Sequence, residues 1–500
     1  MKLKMKNILK LSFILILFTA VSCDLDRYPF NQIEQSQAFQ TVDDANALRN
    51  GLYANLRGRL HGIYMFSTDV QADLLNATLD YGNRNGAPHK WTTFLSDDYT
   101  IRDTWSGYYS ALVNVNNLIE NIDKIETESA NEDALLDQYL GEAYLLRAYY
   151  YHELVKRFAK DYEPGSASSD LGVPLVLTFD VSLLPERATV EAVYQQIVSD
   201  INEAKTLLSD VAGEQDAGRL TIDAVTALEA RVKLCMHDYP GAATAANSLI
   251  NSSTYQLISD EVDFKNMWVN DMSTEVIFQF PLSAPNELGN VNDIYLRYSP
   301  DLDKYQPDFI PQQWVIDLYD ESDIRKDVYL EQKLVHIQGT DYENIYCVNK
   351  YPGNPELFTG ANTNYQQKPK VFRLAEMFLI SAEAQAQDGG NDAAALAVLN
   401  DLRVARGVNP LENLTGNALM EAIKAERNRE LLFEGTRLDD LKRWDMGFER
   451  TTPQNMDLIN TGSDFNEKEV PADHPKFVWG IPQNDITTNP NIADQQNPGW

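Results

Sequence analysis

Two stretches constrain the fold of this chain more than any other feature. TIDAVTALEARVKLCMHDYPGAATAANSLINSSTYQL (221–257) reads as two helices joined at Asp238-Tyr239-Pro240-Gly241. KVFRLAEMFLISAEAQAQDGGNDAAALAVLNDLRVARG (370–407) repeats the scheme, with its turn at Asp388-Gly389-Gly390. Gly and Pro punctuate helices, so each stretch folds back on itself. Ala227, Ala230, Ala242, Ala243 and Ala246 fall where the paired helices approach each other, and small side chains allow a short distance between axes.

Helix–turn–helix units of about 34 residues built this way resemble tetratricopeptide repeats. The other helical segments agree in kind. TVDDANALRNGLYANLRGRL (41–60) opens with Thr41 and Asp44 at capping-box spacing, then sets Ala45, Leu48, Leu52 and Leu56 on one face. Segments 103–125, 133–158 and 189–208 are further amphipathic helices, the last starting at Thr189. The expected fold class is mainly α, with a helical scaffold over 41–60, 103–258 and 370–445. Residues 61–102 and 259–369 are instead rich in Asn, Asp, Pro, Gly, Tyr and Trp, with only short strand candidates such as EVIFQFP (275–281). Long irregular segments present polar and aromatic groups that helices bury, so a ligand is expected there.

The 500 residues carry a formal charge of -32. Nucleic-acid binding depends on Lys and Arg neutralising phosphates, which excludes DNA and RNA as expected partners. The N-terminus reads as an export signal: Lys2, Lys4, Lys6 and Lys10 precede the apolar run LSFILILFTAVS. That run is too short to span a bilayer, where about 20 residues are needed. It ends in Ala20-Val21-Ser22-Cys23, small residues running into a cysteine as in a bacterial lipobox, with Ala20 where Leu is usual. The expectation is a signal peptide over 1–22 and lipid on Cys23, which becomes the first residue of a single domain over 23–500. Cys235 and Cys347 are the only other cysteines and form no CxxC or disulfide framework.

Enzyme motifs fail on inspection. His152-Glu153-Leu154-Val155-Lys156 begins like a zinc-protease helix, but Lys156 stands where the second ligand belongs. No nucleophile elbow, phosphate loop or dinucleotide fingerprint appears. A glycosidase needs only two carboxylates, which a chain with 74 acidic residues supplies without pointing to any pair. Aromatic platforms with polar partners suit capture of a sugar or peptide. The candidates in DYGNRNGAPHKW (80–91) are Tyr81, Asn83, Arg84 and Trp91, with Asn85 and His89 beside them. A second set is Trp268, Tyr295, Tyr298 and Trp314. Trp105 and Trp444 sit at helical spacing with apolar residues and are assigned to the core.

The stretch ERNRELLFEGTRLDDLKRW (426–444) crowds arginines and carboxylates between core residues. Gly435 is expected as a left-handed stop after a helix ending at Phe433-Glu434, with Thr436 capping the next. Arg427, Arg429, Glu430, Glu434, Arg437 and Asp440 are read as an internal ion network, since the guanidinium fork meets carboxylates bidentately. Together with TWSGYYSALVNVNNLIENI (104–122), GEAYLLRAYYYHELVKRF (141–158), FRLAEMFLISAEAQA (372–386), LNDLRVARG (399–407) and the closing GIPQNDITTNPNIADQQNPGW (480–500), this stretch resembles the SusD/RagB-like outer-membrane nutrient-binding lipoproteins. The resemblance implies about four tetratricopeptide-like helix pairs plus a loop-rich region with short strands. It implies a lipid-anchored protein exposed at the cell surface, which captures oligosaccharide and passes it to a SusC-like TonB-dependent transporter. It implies no cofactor, metal or reaction. A peptide-binding member of the same family is the alternative, followed by a surface glycoside hydrolase.

Overall fold

The computed structural model describes residues 39–180, 182–282, 287–288 and 293–500. The leader and the lipidation candidate Cys23 lie outside the described residues.

The fold is mainly α. Its first half carries α1 (Val42–Arg57), α2 (Phe66–Gln71), α3 (Tyr99–Asn121), α4 (Ala130–Phe158), α5 (Val190–Leu207), α6 (Ile222–Cys235) and α7 (Tyr239–Ile250). The second half adds α8 (Glu261–Val269), α9 (Leu374–Gln387), α10 (Asp392–Ala405), α11 (Gly416–Glu430) and α12 (Arg437–Arg443), with several single-turn helices between. Neighbours in sequence pack as neighbours in space: α3 on α4, α4 on α5, α6 on α7 and α9 on α10, with α7 also against α9. The alanines explain the close packing, since Ala227, Ala230, Ala242 and Ala246 are wholly buried. The turn before α7 is held by Asp238, whose side chain accepts the Gly241 N–H at 3.1 Å. Gly389 and Gly390 take φ of 78° and 82° in the turn before α10.

Helix starts follow their caps. At α1 the Thr41 hydroxyl accepts the Asp44 N–H, and the Asp44 carboxylate accepts the Thr41 N–H at 2.9 Å. Helix α3 begins at Tyr99, earlier than the expected 103, because the Asp98 carboxylate accepts the Thr100 N–H at 2.8 Å. Trp105 is buried as expected. Trp444 is only half-buried: Lys424 and Arg443 lie over its ring where the core was expected, and its indole N–H donates to Glu383 at 2.9 Å.

Short strands bridge the irregular segments: β1 (Leu75–Ala77), β2 (Val276–Gln279), β3 (Tyr298–Ser299), β4 (Lys304–Tyr305), β5 (Phe309–Pro311), β6 (Leu330–Ile337), β7 (Thr340–Val348) and β8 (Lys370–Arg373). β3, β4, β6 and β7 form one sheet in that order, closed by the β6–β7 hairpin. Antiparallel β1–β5, with Asn76 opposite Ile310, ties segment 61–102 to segment 259–369. Antiparallel β2–β8 leads the chain into α9.

The charge cluster of 426–444 is an interior lattice. Glu430, with no exposed surface, meets Arg325 at 3.1 Å, Arg373 at 2.9 Å and Arg406 at 2.9 Å. Arg406 also grips Glu275 at 2.8 Å, Glu434 pairs with Arg373 and Lys350, and Asp440 with Arg427 and Arg443. These pairs join α10, α11, α12 and the β2–β8 pair to the irregular region around Arg325. The expected caps need correction. Helix α11 ends at Glu430, before Phe433-Glu434. Gly435 does take the left-handed conformation, at φ 75°. Thr436, however, makes no capping bond with its side chain. Asp69 of α2 instead fixes the residue just before the N-cap, accepting the Gly435 N–H at 2.8 Å.

Candidate functional site: a cleft around Arg84

The loop between β1 and Trp91 coils tightly because Gly82, Asn83 and Asn85 have φ of 62°, 62° and 52°. Gly and Asn are the residues that enter this left-handed region at least cost. The coil turns Arg84 toward segment 259–369. Its Nε donates to Asp308 at 2.5 Å, and its Nη1 reaches both oxygens of Asp293 at 3.0 Å. Asp308 precedes β5 and has no exposed side-chain surface; Arg297 approaches its other oxygen at 3.5 Å.

Beside this cluster opens a cleft of about 370 Å³, with Gly58, Tyr64, Arg84, Asn85, Tyr99 and Asp293 in its lining. That volume lies in the range of small-ligand sites. Tyr99 is 39% exposed, and its phenol oxygen accepts the Asn85 N–H at 2.9 Å, so the ring is held while a face stays in solvent. An exposed aromatic face, a carboxylate and a guanidinium at one opening form the combination that stacks on an apolar sugar face and exchanges hydrogen bonds with its hydroxyls.

Electrostatics separate the groups. Burial pushes the Asp308 carboxyl up to about 6 against the pull of Arg84. Burial works to lower Arg84, but Asp308 and Asp293 outweigh it and hold the guanidinium above its ordinary value. His61, on the inner wall, drops to about 4 through burial and stays uncharged. A second, more enclosed cavity of about 130 Å³ lies behind His61 and Tyr64. Its walls carry Glu153, Arg231, Glu376 and Asp440, and these already pair with one another or with Lys156, Arg157 and Arg427. Among the described residues no set of three His, Cys, Asp or Glu side chains is placed to hold a metal ion.

Of the eight expected ligand residues, the structure puts Arg84 in the cleft. Asn83 is exposed in the same loop, and Tyr81 is half-buried behind it, its ring edge-on to Phe309 and Phe465 with Lys90 above. Trp91 needs correction as a platform: it is buried under Phe448 and Phe477, its indole N–H donating to the Gln71 carbonyl at 2.7 Å. Trp268 is likewise core, its faces covered by Lys350 at 4.4 Å and Arg373 at 5.2 Å. Tyr295 is core between Phe66 and Phe433. A ring without an open face cannot stack on a ligand. His89, beside the expected set, is buried against Phe309. Trp314 is half-buried, bonded to the Asp73 carbonyl and covered by Arg437. Tyr298 lies on β3, paired with Tyr305 at 5.3 Å and outside the cleft.

Two cleft residues went unread. Tyr99 had a signal in the Asp98 cap, which marks a helix start with the next residue at its mouth. Asp293 follows the uncharged run Gly289-Asn-Val-Asn292 and had none.

Comparison with known proteins agrees with this architecture. Residues 326–500 match the SusD family model, and residues 30–234 match one described as starch-binding, associating with the outer membrane. Among curated proteins, SusD-like protein P38 of Formosa agariphila is 25% identical over 90% of this chain and 94% of its own length. SusD-like protein P2 of the same organism is 25% identical over 98% and 99%. A SusD superfamily protein from Bacteroides thetaiotaomicron superposes with a TM-score of 0.77 at 25% identity, covering 92% of this chain and all of that one. Surface glycan-binding protein A from Bacteroides fluxus shares the fold, with a TM-score of 0.69 at 21% identity over 92% of this chain and all of its own. Family models matching the two ends, full-length relatives and the shared helical scaffold support a SusD/RagB-like family for this chain.

Proposed function

We propose that this protein captures a glycan at the outer-membrane surface and hands it to a SusC-like TonB-dependent transporter without chemical change. The observation that carries the reading is the Arg84–Asp293 pair set beside the half-open Tyr99 ring at the mouth of the cleft. The starch-binding description of the matched family and the glycan-binding relative support it. Attachment would come from lipid on Cys23; no helix among the described residues is long and apolar enough to cross a membrane. Transfer to a transporter rests on the family. A carrier must release its cargo, so modest affinity suits the task.

The test is calorimetry on the chain from Asp24 onward, against a polysaccharide panel and a peptide digest, followed by Tyr99→Ala. Saturable glycan binding without release of reducing sugar, weakened at least tenfold by Tyr99→Ala, is the expected result. Binding confined to peptides would replace the ligand class. Turnover of the polysaccharide would replace capture with catalysis.

A further inference from the structure

From the charge balance of the cleft we infer that it selects uncharged saccharides and excludes acidic ones such as uronate or sulfate-ester polymers. This rests on the proposed glycan-binding role and narrows it.

Arg84 and Asp293 are the only charged side chains lining the cleft among the described residues. An acidic sugar would be drawn to Arg84, the one cation there, but that guanidinium is engaged twice. Nη1 already holds both oxygens of Asp293, and Nε holds Asp308. The remaining nitrogen, Nη2, is buried and has no partner among the described residues, so it is not open to the cleft. An incoming carboxylate or sulfate must therefore displace Asp293 and leave that carboxylate beside the new anion, a like-charge contact that disfavours the complex. Arg297 does not line the cleft, and its guanidinium approaches Asp308 at 3.5 Å. The sequence 283–292, which precedes Asp293 in the chain, contains no Lys or Arg, and its Glu287 pairs with Arg57 at 2.7 Å. A neutral diol meets no such obstacle. Its hydroxyls donate to the lone pairs of Asp293 that Arg84 leaves unused, without breaking the pair. The overall charge of -32 acts in the same direction at longer range.

The test uses the chain from Asp24 onward in affinity gels. Soluble starch, galactomannan and xyloglucan serve as neutral probes; alginate, polygalacturonate and carrageenan serve as acidic ones. Wild type, Asp293→Asn and Tyr99→Ala are compared, each checked for folding by circular dichroism. At least one neutral polymer should retard the wild type, while the acidic ones bind at least tenfold more weakly. Asp293→Asn, which frees one arm of Arg84, should narrow that gap by tenfold or more. Retardation of the wild type by an acidic polymer, abolished by Tyr99→Ala, would overturn the charge selectivity and keep the cleft as the site. Neutral binding that ignores both substitutions, or no binding at all, would overturn the cleft itself and the selectivity with it.

Discussion

The carboxylate of Asp69 accepts the backbone N–H of Gly435 at 2.8 Å, across 366 positions of sequence. The contact pins the entry to α12 onto α2, and Thr68 reinforces it by donating its hydroxyl to the Gly435 carbonyl at 2.9 Å. Burial pushes the Asp69 carboxyl up to about 7. The folded state thus holds a proton that the unfolded chain releases near 4, so Asp69 contributes stability that shrinks as pH rises from about 4 to 7. Asp69→Asn keeps an acceptor for Gly435 and removes this titration. Its melting temperature should fall less than wild type between pH 5 and 7. Asp69→Ala should cost about 1–3 kcal/mol by chemical denaturation, the value of a buried donor left unpaired.

Trp91→Ala should destabilise by about 3–5 kcal/mol, as large-to-small changes in packed cores do. The indole fills the space under Phe448 and Phe477 and also satisfies the Gln71 carbonyl. Glycan affinity at a temperature where the variant is still folded should match wild type. A selective loss of affinity with unchanged stability would return Trp91 to the ligand site.

Glu430→Gln should be among the most damaging single changes, at about 3–5 kcal/mol, because Arg325, Arg373 and Arg406 would be left buried without their shared carboxylate. Burial alone would raise the Glu430 carboxyl, but Arg406, Arg373 and Arg325 hold it well below the usual range. The sign of its pH effect is therefore opposite to that of Asp69. Its contribution is complete above about 4.5 and is lost as acid forces a proton onto it. Urea midpoints measured from pH 6 down to 3 should drop steeply for wild type and more gently for Glu430→Gln.

The cleft should change character near pH 6. Asp308 takes a proton there, facing Arg84 and Arg297, with Asp293 beyond Arg84. Protonation weakens the Arg84 Nε bond, which loses its charged acceptor, and leaves the cluster one charge more positive. Binding of an acidic oligosaccharide, weak at pH 7.5, should strengthen several-fold at pH 5. Asp308→Asn should remove most of that difference in calorimetry.

Much of the helical scaffold was legible because its determinants are local: Thr41 with Asp44, Asp238 before Gly241, and alanines at helix contacts. Arg427, Glu430 and Asp440 were legible as a network because their spacing sets charge among Leu431, Leu438 and Leu441. The ligand site was less so, since burial of an aromatic ring is decided by distant chain. Trp91 is covered by residues near 448 and 477, and Trp268 by lysines and arginines from 350 to 373. Nothing in DYGNRNGAPHKW separates a ring that will be covered from one left open. Arg84 was found because it stands beside Tyr81 and Trp91 as a polar partner in a turn-rich loop, whereas its partner Asp293 stands in a stretch with no such signal.

The arginine–glutamate lattice also bears on salinity. Glu430, Arg325 and Arg406 are out of reach of mobile ions, while screening at physiological ionic strength weakens interactions between exposed charges more than about 8 Å apart and so falls on the surface. The net charge of -32 makes that surface repel itself. Added salt therefore quiets the repulsion and leaves the interior pairs intact, so this molecule should hold together better in brine than in dilute buffer.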